Sequence, residues 1–123
     1  AAGADAIAMI NSPKAMLIDI ETKKPFLGNV IGALSGPAIR PMAVAFVYQV
    51  YEQVGIPIIG MGGVTTVRDV IEFLLAGAQA VALGVVNFFD PLAVPRILDG
   101  LQKYLEEKGI EDVNSLVGAA HSF

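Results

Sequence analysis

The chain has 123 residues, 54% of them hydrophobic, a formal net charge of −4, one histidine and no cysteine. That excludes a disulfide framework, a thiolate metal site and a His-rich zinc centre, and acidity without a Lys/Arg cluster argues against nonspecific nucleic-acid binding. Apolar runs reach only about 4–8 residues before a Gly or Pro, short of the roughly 20 that a membrane span needs, so the apolar excess marks buried strands or interface.

In chain order, Ala1-Ala2-Gly3-Ala4-Asp5 lacks a Met and a basic region and reads as the glycine exit of a helix entered midway. Ala6-Ile7-Ala8-Met9-Ile10 then reads as a buried parallel strand. The same entry recurs at Ala76-Gly77-Ala78-Gln79 before Ala80-Val81-Ala82-Leu83, as one structural unit used twice. Asn11-Ser12-Pro13 closes the first strand. A carboxamide there offers a donor and an acceptor to the edge of a heterocycle, or it caps local backbone in an Asn–Ser turn; spacing does not separate the two.

Ala15 to Asn29 is predicted to form a β-hairpin with its polar turn at Glu21-Thr22-Lys23-Lys24-Pro25, an insertion apart from the main sheet. Gly32 to Pro41 is a loop punctuated by Gly and Pro, of a length that usually serves function. Pro41 or Met42 opens a helix carrying Val44, Val47, Tyr48, Val50 and Tyr51, closed at Gly55, with apolar positions spread widely enough to be covered on more than one side.

Ile56-Pro57-Ile58-Ile59-Gly60-Met61-Gly62-Gly63, the amphipathic segment from Thr65 to Gly77, and Ala80-Val81-Ala82-Leu83-Gly84 read as a βαβ unit with a glycine at the C-terminal end of each strand. Thr66 and Asp69 are spaced as a capping box, with Asp in place of Glu, and Val67, Val70, Ile71 and Leu74 share a face. Bare backbone N–H groups at Gly62, Gly63 and Gly84 attract an anion without a basic side chain. In a (β/α)₈ barrel the loops after the last two strands are the usual phosphate site, beside a short extra helix, and Phe88 to Pro91 fit the end of such a turn. The same glycines also read as plain turn closers of any α/β protein. A helix from Pro91 to Lys108-Gly109 carries Val94, Ile97, Leu98, Leu101 and Leu105 toward the core. Glu111 to Leu116 forms one more short helix, and His121 stands solvated in a frayed end.

Asn11-Ser12, Ile18-Asp19-Ile20-Glu21-Thr22 with Pro25, Leu34-Ser35-Gly36-Pro37-Ala38-Ile39 with Pro41, Ile56 to Gly63 and Ala78 to Gly84 together resemble the dihydroorotate dehydrogenases, in their class 1B form, over nearly the whole chain. The resemblance implies an α/β fold, the C-terminal portion (strands six to eight) of a TIM (β/α)₈ barrel with an inserted β-hairpin, all 123 residues belonging to one FMN-binding domain. Carried over by position, Ile10, Gly36, Gly62, Gly63, Gly84 and Val85 contact FMN, the last four at its phosphate, and Asn11 and Ser12 bind the pyrimidine. It also implies a cytoplasmic oxidoreductase that converts dihydroorotate to orotate, paired with a second copy and with an iron–sulfur flavoprotein that passes electrons to NAD.

Two departures stand against the pattern. Val85 replaces a hydroxyl residue, which removes a hydrogen bond worth roughly 0.5–1.5 kcal/mol. The family's catalytic Cys and flavin-facing lysines lie upstream, and this chain has no Cys. Ser12 and Ser35 are poor substitutes, so no catalytic residue is assigned and the segment alone is expected to be inactive. A dihydropyrimidine dehydrogenase-like flavin barrel and a non-enzymatic phosphate-binding or assembly half-barrel are the alternatives. A part-barrel leaves two sheet edges open, to be covered by the rest of the barrel or by a partner.

Overall fold

The computed structural model describes residues 2–122. Ile7–Met9 (β1) leads into two small antiparallel ladders, Lys14–Ala15 (β2) with Gly32–Ala33 (β5) and, inside it, Ile18–Asp19 (β3) with Lys24–Pro25 (β4). There follow Arg40–Tyr51 (α1), Ile58–Met61 (β6), Val67–Ala76 (α2), Ala80–Ala82 (β7), Val86–Phe89 (α3) and Ala93–Lys108 (α4). Short 3-10 turns occupy Pro37–Ile39, Val113–Leu116 and Ala119–His121. β1, β6 and β7 form a parallel sheet in that order, with Ile7 opposite Ile58 and Ile59 opposite Ala80. The outer edges of β1 and β7 have no strand partner among the described residues.

The central strand is built to receive α2. Ile58 is fully buried, and a Cβ on Gly60 would lie 2.5 Å from Phe73 Cδ1 and 3.1 Å from Ala78 Cβ. Glycine at position 60 therefore lets the Phe73 ring lie flat against the strand, where its complete burial contributes about 1.5–3 kcal/mol. α2 starts where the Thr66 and Asp69 spacing predicts: Asp69 N donates to Thr66 Oγ1 (3.3 Å) and Thr66 N donates to Asp69 Oδ2 (2.8 Å). It ends at Gly77, whose positive φ of 119° closes the helix. Gly3 likewise takes positive φ, 79°, ahead of β1, so the two Ala-Gly-Ala segments share a left-handed glycine, although only Gly77 is preceded by a helix among the described residues; Ala1 lies outside them.

The hairpin forms with shorter strands than its sequence suggests. Asp19 accepts from the backbone N–H of Glu21 (2.9 Å) and Thr22 (3.2 Å), which turns the chain and holds the Asp19 carboxyl below its usual range, the Thr22 bond being the larger cause. Gly32 and Ala33, expected in a loop, instead pair with Lys14 and Ala15 and brace the base of the arm. Leu17, Ile18, Ile20 and Phe26 all remain exposed on it.

The helices differ from expectation at their outer faces. α1 begins at Arg40 and ends at Tyr51, short of Gly55; it buries Ala43 and Val47 but leaves Met42 and Phe46 exposed. α4 buries Ala93 and Ile97, whereas Val94 and Leu98 are exposed, against the prediction of a uniformly core-facing stripe. The reason lies in the sheet: it stops at β7, so nothing among the described residues backs the far side of α4.

The tail corrects a second expectation. His121 is not solvated: its ring stacks on Tyr48 at 3.8 Å, its Nε2 lies 3.1 Å from Ala76 O and its Nδ1 lies 3.3 Å from Glu52 Oε1. Gly118 N donates to Leu74 O at 3.0 Å, and Gly77 and Gly118 leave the Tyr51 ring a slot that a Cβ on either would fill. His121→Ala removes the stack and both polar contacts. It is expected to cost about 1–2 kcal/mol in chemical denaturation and to speed hydrogen exchange at the Gly118 amide.

Candidate functional site

The C-terminal ends of β1, β6 and β7 open on one pocket of about 180 Å³. Ile10, Asn11 and Ser12 reach it from β1, Gly36 from the loop before α1, Gly62 and Gly63 from β6, and Gly84 and Val85 from β7. All eight residues singled out from the sequence thus line a single cavity. A larger groove of about 520 Å³ lies along α4 and Gly109–Val113, but it presents mainly Leu, Ile and Val, and its Gln102 and Glu106 are hydrogen-bonded to each other. The smaller pocket is the one that gathers glycines from the C-terminal ends of two parallel strands.

Its glycines divide into two kinds. A Cβ on Gly62 would lie 2.9 Å from Ala43 Cβ, and one on Gly63, where φ is 71°, would lie 2.6 Å from Gly36 O and 2.9 Å from Arg40 N. These two glycines let the β6 loop pack against the start of α1. Cβ positions on Gly36 and Gly84 meet nothing within 4 Å, so their bare faces are open. Among the described residues, the amides of Gly62, Gly63, Val64, Gly84 and Val85 donate to no backbone carbonyl. A cluster of unpaired N–H groups in one concavity suits an anion.

Asp69 holds the β6 loop in place. It is 4% exposed, accepts from Thr65 N (2.9 Å), Thr65 Oγ1 (3.0 Å) and Thr66 N (2.8 Å), and pairs with Arg40 Nη1 at the start of α1. Burial raises its pKa, but the backbone N–H groups of Thr65 and Thr66 and the two hydroxyls outweigh it, and the carboxyl lies below its ordinary value. Arg40 Nε lies 3.1 Å from Glu72 Oε2, a charge contact without hydrogen-bond alignment that leaves Nε without a hydrogen-bond partner. Ile39, Met61 and Leu83 also line the pocket and had no individual signal in the sequence; Ser35, weighed there only as a poor catalytic substitute, lines it too.

At Asn11 the structure favours neither earlier alternative alone. Oδ1 accepts from Ser12 N at 2.7 Å, the local turn, while Nδ2 has no hydrogen bond among the described residues and is free to donate into the pocket.

A family model described as Dihydroorotate dehydrogenase matches residues 1–105. The chain belongs to the dihydroorotate dehydrogenase family. Among its relatives, dihydroorotate dehydrogenase B (NAD(+)), catalytic subunit, of Desulforudis audaxviator is 57% identical over 120 residues, which is 98% of this chain and 39% of that protein. The protein of the same name from Desulforamulus reducens is 55% identical, over 98% of this chain and 40% of its own length. The chain therefore spans about two-fifths of these relatives. A crystal structure of dihydroorotate dehydrogenase from Eimeria tenella in complex with ferulenol superposes with a TM-score of 0.78 at 26% identity, covering 97% of this chain and 32% of that one. The ligand-free form from the same organism gives 0.68 at 30% identity, over 73% and 26%.

These dihydroorotate dehydrogenase relatives favour neither the dihydropyrimidine dehydrogenase-like alternative nor the assembly module. Among the described residues no helix is long and apolar enough to cross a membrane.

Proposed function

We propose that this chain is the phosphate side of an FMN-binding TIM barrel in a dihydroorotate dehydrogenase. It supplies strands six to eight of a single domain whose remainder covers the open edges of β1 and β7. The observation that carries the reading is the convergence of Gly62, Gly63, Gly84 and Val85, all with unpaired amides, on one concavity that Asn11 and Ser12 also border. At about 180 Å³ the pocket is smaller than the roughly 300–1,000 Å³ of a complete cofactor site, which matches one end of FMN rather than the whole.

In this reading the four amides hold the phosphate dianion, Ile10 and Gly36 flank the cofactor, and Asn11 Nδ2 and the Ser12 hydroxyl hold the pyrimidine. Bound FMN supplies the two-electron oxidant for dihydroorotate. The proton-abstracting base belongs to the part of the barrel outside this chain, since Ser12 and Ser35 have no basic hydrogen-bond partner among the described residues. The relatives' description as a catalytic subunit supports a complex with a further subunit, in this reading an iron–sulfur flavoprotein, while the homodimer and the cytoplasmic setting rest on the family resemblance alone.

Gly84→Val tests the phosphate assignment. A Cβ there meets no protein atom within 4 Å, so folding stability is expected to stay within about 0.5 kcal/mol. FMN affinity of the intact subunit, read by flavin fluorescence, is expected to fall at least about tenfold as the new side chain crowds the anion. Unchanged FMN binding in that variant would remove the site from this turn.

A further inference from the structure

Asn87 is exposed and belongs to none of the residues assigned above, yet its side chain is fully engaged on its donor side. Nδ2 donates to Leu83 O at 3.0 Å and to Gly84 O at 3.0 Å, while its backbone N donates to Gly84 O at 3.1 Å. Both side-chain partners are carbonyl oxygens, which accept only, so the carboxamide orientation is set by chemistry. A trans peptide is planar with its C=O and N–H opposed. Holding the Leu83 carbonyl toward Asn87 turns the Gly84 N–H away from it, and holding the Gly84 carbonyl does the same for the Val85 N–H. Those two amides border the pocket, and neither donates to a backbone carbonyl.

We propose that Asn87 is a positioning residue for anion binding: one carboxamide clamps two successive peptide planes so that the amides of Gly84 and Val85 both face the phosphate group. The inference rests on the phosphate assignment above and adds the device that orients it. Gly84 makes such a clamp necessary, because a glycine without Cβ contacts samples many conformations and an unclamped turn would have to be ordered by the ligand. Val85, which lacks a hydroxyl, leaves its backbone amide as its sole donor and sharpens the dependence on that amide's direction.

The test compares FMN with riboflavin, which lacks the phosphate, on the intact catalytic subunit carrying this segment. In Asn87→Ala, FMN affinity is expected to fall about 10- to 100-fold, the scale of losing preorganised charge-assisted bonds. Riboflavin affinity and the melting temperature of the flavin-free protein should stay at wild-type values. Asn87→Asp should lose more, since a carboxylate repels both carbonyls and the dianion, and Asn87→Ser, which can still donate to one carbonyl, should fall between wild type and alanine. Wild-type preference for FMN that survives in Asn87→Ala overturns the clamp alone, and so does an equal loss of FMN and riboflavin, which marks a general structural role. A wild-type protein that does not distinguish the two flavins overturns the phosphate assignment and the clamp with it.

Discussion

Asp69→Ala is expected to lower stability by about 2–4 kcal/mol, among the largest losses any single side chain here would produce. Three effects add: loss of the cap on α2, loss of the acceptor for Thr65 N and Oγ1, and loss of the buried one of the two carboxylates paired with Arg40, which keeps only the exposed Glu72. Arg40 is about one-third exposed, so water compensates part of the last effect, which keeps the sum below that of a fully buried pair. Asp69→Asn keeps an acceptor and should cost less, and Glu72→Ala, at an exposed carboxylate, should cost under about 1 kcal/mol. Denaturant titration of the three variants ranks them; equal losses for positions 69 and 72 would count against this account. The sign with pH follows from the lowered pKa. Asp69 contributes fully above the ordinary carboxylate value of about 3.9, and the contribution is lost as pH falls through its lower folded value. The Asp69→Ala deficit should therefore be constant near neutrality and shrink only in strong acid.

Gly63→Ala should match it in size and exceed it in functional consequence. A φ of 71° disfavours any side chain by about 1–2 kcal/mol, and the added methyl would stand 2.6 Å from Gly36 O, 2.9 Å from Arg40 N and 3.0 Å from Arg40 Cβ. Those are backbone and near-backbone atoms that do not swing aside, so the β6 loop and the start of α1 must separate, at an expected total of about 2–4 kcal/mol. Because Gly36 and Gly63 are opposing walls of the same pocket, FMN binding should disappear together with the stability. Gly84→Val, at a position whose Cβ meets no protein atom within 4 Å, separates the two effects: it should lose flavin while keeping the fold. A stable, flavin-binding Gly63→Ala protein would refute the close approach.

The open edges of β1 and β7 and the uncovered Val94 and Leu98 are one observation. Strand edges and apolar helix faces require cover, and here they stand at the two ends of a sheet that is short for a barrel. The exposed Leu17, Ile18, Ile20 and Phe26 of the hairpin arm are a separate apolar surface, built on the small antiparallel ladders and not on the three-stranded sheet.

Much of this was legible in the residues because it is local. The capping box of Thr66 and Asp69 and the glycine exit of α2 at Gly77 depend on bonds between residues four or fewer apart, and both form; the strand–helix–strand order of β6, α2 and β7 was legible from its period and glycines, although its parallel pairing joins residues 21 apart. The glycine blocks that carry the family resemblance also meet at one rim, since parallel pairing brings the C-terminal ends of β6 and β7 to the same side. What the residues did not disclose depends on distance. Arg40 meets Asp69 across 29 positions and His121 meets Ala76 across 45. Nothing within a turn's length signals such a partner. The same holds for the glycines: composition suggests room for a ligand at Gly62 and Gly63, whereas packing shows that their missing side chains admit Ala43 and Arg40, while their amides donate to no backbone carbonyl among the described residues. Local sequence determined the order of the main strands and helices, the capped start and glycine exit of α2 and the placing of glycines at the strand ends, because those follow from short-range bonding and periodicity. Only the tertiary structure decided which faces are covered and what each glycine touches, because those follow from the mutual packing of segments far apart in the chain.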